Sequence, residues 1–206
     1  GSDTGKVEML PNGVVLEYFA PDASHPRGAA SLVISGKMSY HANVTMALQF
    51  ATHVFPLVKT ARPDVKLTIV GKDPSREVRA LAADPAITIT GGVPDVRPYL
   101  RGATVAVAPI AYGVGIQNKV LEAMAVGTPV VCTPQAVSAL QTVDGQDLIV
   151  AEDPARQAEA IVGLLNDPDR ARQIGNSGRA YIEHHHDWSR IAERLEAIYH
   201  GHSLHV

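Results

Sequence analysis

The chain has 206 residues, a formal net charge of -3, and 46% hydrophobic against 19% charged side chains. That balance is globular, allows one sizeable core, and lacks the basic surplus expected of a nucleic-acid binder. Cys132 is the single cysteine, which excludes an internal disulfide and suits a cytosolic setting; no apolar run approaches the roughly 18 residues of a membrane-spanning helix.

Gly1-Ser2 reads as an expression remnant, with the natural chain beginning further upstream, and no signal-peptide pattern follows it. Residues 1–30, rich in Pro, Gly and Asp, read as a linker or irregular leading segment. SLVISG (31–36) is a short buried strand ending in glycine. Residues 43–61 carry Val44, Ala47, Leu48, Ala51, Val54, Phe55 and Val58 at helical spacing, with Asn43 as N-cap. Pro56 predicts a kink or break inside that helix. KLTIVG (66–71) is a second strand, 77–83 a helix, AITIT (86–90) a third strand and 95–102 a short helix. ATVAVAPI (103–110) is a strand, 119–126 a helix, PVVCT (129–133) a strand and DLIVA (147–151) another. Three helices close the chain at 154–166, 168–183 and 188–199.

The strands are Val/Ile-rich and apolar on both faces. Such strands belong in a parallel sheet covered by helices on both sides. The fold class is therefore α/β: a Rossmann-like parallel sheet of about six strands with additional C-terminal helices. Ligands of such sheets bind at the carboxyl ends of the strands, so the loops after 31–36, 86–90 and 103–110 are the ones to inspect.

The strongest constellation is GVGIQNKVLEAMAVGTPVV, residues 113–131. Gly113 and Gly115 let the backbone approach a ligand, and Asn118 can cap the helix that begins at Lys119. Free N–H groups at that helix start, with the positive end of its dipole, suit a phosphate. Lys119 adds a mobile charge, and Glu122, one turn in, can accept hydrogen bonds from a ribose diol. On spacing alone a plain tight turn with Glu122 stabilising the helix start explains the same residues.

This stretch resembles the signature of the group 1, or family 4, glycosyltransferases, E-G-F-G-L-P-x-L-E-A-M-A-x-G-x-P-V-V. LEAMA (121–125), Gly127 and Pro129 to Val131 match in order and spacing. MLPNGVVLEYFAP (9–21), VPDVRPYLRGATVAVAPI (93–110) and HDWSRIAERLEAIY (186–199) also resemble segments of that family. The Gly-Ile-Gln-Asn-Lys run before LEAMA is similar to bacterial sugar transferases linked to exopolysaccharide synthesis.

The resemblance implies one half of a two-domain GT-B enzyme: the C-terminal domain, binding a nucleoside-diphosphate sugar of UDP or GDP type for transfer with retention. Residues 1–30 would form the interdomain connection, 31–166 the Rossmann-like domain, and 167–206 its C-terminal helices. The amides of Gln117, Asn118 and Lys119 would face the diphosphate, with Gly115 and Ile116 leading into them. Glu122 would hold the ribose, Gly92 and Val93 would border the base, and Gly36 and Lys37 would lie beside the phosphates. No tightly bound cofactor, metal or nucleic acid is implied. The partners would be the donor, an N-terminal acceptor domain and a saccharide or lipid-linked acceptor. The setting would be the cytoplasm, with any inner-membrane contact made through the other half. No catalytic residue can be assigned, and the isolated chain would bind donor without transferring sugar.

Three positions depart from the family. Val114 stands where the first glutamate of the signature's pair belongs, and Lys37 and Asn43 stand where an arginine and a lysine are usual. Lysine keeps a charge but lacks the bidentate fork; Lys119 can supply the charge lost at Asn43. The departures leave two alternatives: a nucleotide-sugar epimerase of the same fold, and a non-catalytic nucleotide-binding or interaction module. His184, His185 and His186 are adjacent on a helix, point in different directions and suit a polar helix end rather than a metal. His41 reads as a surface residue, Cys132 as a core residue, Trp188 as a packing anchor, and Asp95 with Arg97 as a local ion pair.

Overall fold

A computed structural model describes residues 10–22, 24, 26–112 and 115–199. The readings placed on Gly113 and Val114 lie outside these residues. Six strands form a single sheet: β1 (Ser31–Ser35), β2 (Lys66–Val70), β3 (Ile87–Gly91), β4 (Val105–Ala108), β5 (Val130–Cys132) and β6 (Ile149–Val150). Their order is β3-β2-β1-β4-β5-β6, and every neighbouring pair is parallel. Every strand read from the sequence is present, β3 shifted by one residue toward Gly91 and the others trimmed by a residue or more.

The helices follow in the expected alternation. They are α1 (His41–Gln49), α2 (Phe55–Ala61), α3 (Arg76–Ala80), α4 (Arg97–Gly102), α5 (Asn118–Ala125), α6 (Pro134–Val137), α7 (Pro154–Asn166), α8 (Pro168–His185) and α9 (Trp188–Tyr199). Where the sequence suggests one helix over 43–61, a π-helical segment, Phe50–Val54, lies between α1 and α2. Pro56 falls in the first turn of α2. Proline lacks an N–H and its ring crowds the preceding turn, so the chain widens there before continuing.

Two capping expectations are corrected. Helix α1 begins at His41 after an extended Tyr40, so Asn43 lies within the first turn rather than capping it. Its side chain is buried and spent on tertiary hydrogen bonds. Likewise α5 begins at Asn118, with Gln117 as the N-cap residue; Asn118 instead accepts a hydrogen bond from Asn12 at 3.0 Å. The short helix α6 has no sequence counterpart, because its single turn is too short to show a period.

The core is continuous across both faces of the sheet, from Leu32, Ile34 and Phe50 to Val131, Cys132 and Ile161. Burial pushes the Cys132 thiol up to about 12, aided by the charge of Asp144; it is inert packing. The described part of the leading segment is held against the domain. Val14 is buried, donates to His186 O at 2.7 Å and accepts from Trp188 N at 3.3 Å. Arg179 of α8 donates to Phe19 O at 2.9 Å, and Arg101 of α4 to Ala20 O at 2.8 Å. Among the described residues no helix is long and apolar enough to cross a membrane.

Helix α8 packs on α5 through a close approach at Gly175. A Cβ placed there would lie 2.2 Å from Gly127 O, a backbone atom fixed by the left-handed turn (φ 73°) that ends α5. Helix propensity alone favours Gly175→Ala by about 1 kcal/mol. The backbone clash outweighs it, so we expect a net loss of about 2 kcal/mol. In a chain of this size that lowers the thermal midpoint by about 4–8 °C. A midpoint at or above wild type by circular dichroism would contradict this packing.

Candidate functional site

The chain leaves β1 toward β2 and β3 on one side, then returns to place β4 on the other. The loops after β1 and β4 therefore diverge at their carboxyl ends and leave a crevice. A cavity of about 480 Å³ opens there, within the usual range for a small-molecule site.

Its floor is backbone. Gly36 and Gly71 end β1 and β2 at φ 150° and 156°, and a Cβ on Gly71 would lie 1.6 Å from Gly36 O. Only glycine permits that contact. The register pairs Ser35 with Val70, so the next residues, Gly36-Lys37 and Gly71-Lys72, leave the sheet side by side. Both lysines line the cavity.

One wall comes from α1 and α5. The Asn43 amide donates to Lys37 O at 3.0 Å, and its Oδ1 accepts from Lys119 Nζ at 2.8 Å. Glu122 lies one turn beyond Lys119 on α5 and also lines the cavity, as do Ile116 and Asn118. The opposite wall is apolar, formed by Val70, Val93 and Val96. The first N–H groups of α5 have no intrahelical acceptor, and Gln117 makes no side-chain cap to satisfy them.

The electrostatics suit an anion beside a polar hydroxylated group. Lys37, Lys72 and Lys119 line the cavity together with one carboxylate, Glu122. Burial lowers the Lys119 amine below the usual lysine value, against the opposing pull of Glu122. Burial raises the Glu122 carboxyl, against the pull of Lys119. Both groups thus carry a desolvation cost that their mutual attraction does not cancel, a pattern typical of ligand sites.

Of the residues expected from the sequence, Gly36, Lys37, Val93, Ile116, Asn118, Lys119 and Glu122 come together around this cavity. Gly92, Gly115 and Gln117 do not line it. Gly92 lies against the Lys72 side chain, and Gln117 turns back to Gly115 O at 3.3 Å. Gly115, at φ 83°, borders a neighbouring cavity of about 640 Å³ that also contains Tyr181, His185 and His186. Lys72 and Asn43 are the additions. Lys72 was readable: VISGK (33–37) and TIVGK (68–72) carry the same Gly-Lys ending on adjacent parallel strands.

The remaining expectations resolve locally. His41 bonds to the Tyr112 hydroxyl, which also lies 3.2 Å from Thr45 Oγ1 at the exposed rim. Arg97 pairs with Asp95 at 2.7 Å and stacks 3.7 Å over Tyr18. His184 bonds to Ala180 O, His185 lies against the Tyr181 ring, and His186 reaches Asn12 O at 2.7 Å. Trp188 is exposed on one side and covers Gly13 on the other.

The profile of the group 1 glycosyl transferases matches residues 29–167. The phosphatidyl-myo-inositol mannosyltransferase of Mycolicibacterium smegmatis is 30% identical over 210 residues, covering 97% of this chain and 52% of the relative. The alpha-maltose-1-phosphate synthase of the same organism is 40% identical over 115 residues, 50% of this chain and 29% of the relative. Among solved structures, the sucrose-phosphate synthase of Thermosynechococcus elongatus superposes with a TM-score of 0.78 at 23% identity, covering 97% of this chain and 53% of that one. Anabaena HepE, in complex with UDP and glucose, superposes at 0.72 with 12% identity, covering 93% and 56%. The chain thus spans about half the length of the relatives it matches, and these solved structures share its fold, one half of the GT-B architecture.

The raised Glu122 carboxyl yields a signed prediction. A carboxyl whose folded pKa exceeds its unfolded value supports folding fully below the unfolded value and loses that support as pH rises through the folded one. Glu122→Gln should therefore raise the thermal midpoint near pH 7 by a few degrees at most. The gain should vanish below about pH 4, as glutamate becomes protonated in both states. A midpoint below wild type at neutral pH would mean that attraction to Lys119 exceeds the cost of burial.

Proposed function

The chain belongs to the group 1 glycosyltransferases, and from that premise we propose that it is the donor-binding half of a retaining enzyme, gripping a nucleoside-diphosphate sugar in the cavity between β1 and β4. The observation that carries the reading is the convergence of Lys37, Lys72, Lys119 and the start of α5 on one crevice that also holds Glu122 and an apolar wall. A nucleoside diphosphate presents the matching parts: an anionic bridge, a ribose diol and a flat base.

In this reading the amides of Asn118 and Lys119 face the diphosphate, with the lysines supplying charge. Glu122 accepts from the ribose hydroxyls, and Val93 and Val96 border the base. During transfer these groups stabilise the charge that builds on the leaving diphosphate, the contribution expected of a donor half. The solved neighbours TarM of S. aureus and HepE of Anabaena hold UDP, which favours a uridine donor over a guanosine one. The mannosyltransferase relatives, whose names pair mannose with a phosphatidylinositol, support a lipid-linked or saccharide acceptor. That acceptor would bind in a further half, with residues 1–30 as the connection, 31–166 as the donor domain and 167–206 as its closing helices. No tightly bound cofactor takes part. Cytoplasmic exopolysaccharide synthesis is the setting the reading keeps.

A non-catalytic nucleotide-binding module is the second reading, favoured by one observation: Val114 replaces the carboxylate that the family's signature carries in the glycine loop.

Isothermal titration calorimetry against UDP, GDP and ADP tests the proposal. The 206-residue chain should bind UDP or GDP and release no sugar to an acceptor. Lys119→Ala should weaken binding about 10–100-fold, the loss of one charge-assisted contact. Absence of binding to all three nucleotides would overturn the donor-binding reading. Unchanged affinity in Lys119→Ala would remove that residue from the site.

A further inference from the structure

We infer that Asn43 is a positioning residue whose neutral side-chain oxygen holds the Lys119 ammonium at the phosphate side of the cleft. This inference rests on the donor-binding reading and adds a residue from α1 to a site otherwise built on strand-end loops and α5.

The geometry requires an amide at this position. Lys37 O is a carbonyl and can only accept, so the atom facing it must be the Asn43 nitrogen, at 3.0 Å. Lys119 Nζ is an ammonium and can only donate, so the atom facing it must be the oxygen, at 2.8 Å. The two neighbours together fix the orientation of the amide. Gly36 makes room for it, since a Cβ there would lie 2.8 Å from Asn43 Nδ2. Asn43 is 6% exposed, so these partners are not readily exchanged for water.

A neutral oxygen grips an ammonium without cancelling its charge. Aspartate would hold Lys119 as a closed ion pair and leave little field for a ligand. The other charged groups lining the cavity are Glu122 on the same helix and Lys37 and Lys72 on the loops after β1 and β2. Among the described residues, neither loop lysine has a hydrogen bond or ion pair to its ammonium group. Lys119 is thus the cation held in a fixed place, and Asn43 fixes it across 76 positions of sequence. Freed from Asn43, the four-carbon arm would regain its rotamers, and each bound phosphate would have to order it again.

A double-mutant cycle read by calorimetry with UDP and GDP separates this role from a merely structural tie between α1 and the Lys37 loop. Asn43→Ala should weaken binding about 3–10-fold in the wild-type background and have no further effect in Lys119→Ala. Asn43→Asp, nearly identical in volume and retaining an oxygen, should weaken binding at least as much as Asn43→Ala. Equal losses from Asn43→Ala in both backgrounds, or wild-type affinity in Asn43→Asp, would overturn the inference while leaving the donor-binding reading intact. If Asn43→Ala does not fold by circular dichroism, the aspartate variant decides alone. A wild-type chain that binds neither nucleotide would overturn both.

Discussion

Strand β1 sits near the middle of the sheet, and the chain builds outward from it twice in opposite directions. That reversal is the constraint on which the site depends. Consecutive strands on one side keep their crossover helices packed edge to edge, which closes the carboxyl end. Between β1 and β4 the crossovers part, and no helix can cover the gap. The crevice is therefore a consequence of strand order, before any particular side chain is considered. What the sequence adds is glycine at the ends of β1 and β2, which brings two loop backbones into contact beneath the gap. It also places two lysines immediately after those glycines.

The charges in the cleft work against the fold that holds them. Lys119 and Glu122 are both desolvated, and each is stabilised by the other less than burial destabilises it. Three lysines share the cavity with one carboxylate, so their mutual repulsion is incompletely offset. An interior selected for stability alone would replace these groups with apolar ones. An anionic ligand reverses the balance: it neutralises the lysines, and its binding free energy adds to the stability of the folded state. The arrangement makes physical sense as half of a complex.

The architecture was legible because its signals are repeated and periodic. Each buried strand is a short Val/Ile run, and each helix from 154 onward shows its period over three turns or more. The family signature identified the α5 side of the site for the same reason: LEAMA and its flanking glycines are contiguous. Contacts distant in sequence were not legible. Asn43 suggests an N-cap because a polar residue ahead of an apolar-periodic run usually is one. Its actual partners are a carbonyl set by the β1 turn and an amine arriving from α5. Asn118 was misassigned in the same way, its oxygen being claimed by Asn12. Lys72 falls between these cases, since its Gly-Lys ending repeats that of β1 but gains meaning only once β1 and β2 are known to be neighbours in register.

The crevice and its exposed rim are built differently. Around the cavity, the groups are anchored on buried elements: Asn43 within α1, Lys119 and Glu122 on a helix whose other face is packed against the sheet, and glycine backbone beneath them. Away from it, Gly115 faces open space in a left-handed turn, and Tyr112 and His41 meet at the exposed rim. Precise geometry is held best on regular elements, whereas exposed loops change readily without disturbing the core. A scaffold that builds its crevice on regular elements can exchange an exposed rim loop at little cost to its stability. On the donor-binding reading, Val114 in place of the signature's carboxylate would alter sugar recognition and leave the nucleotide grip to other residues.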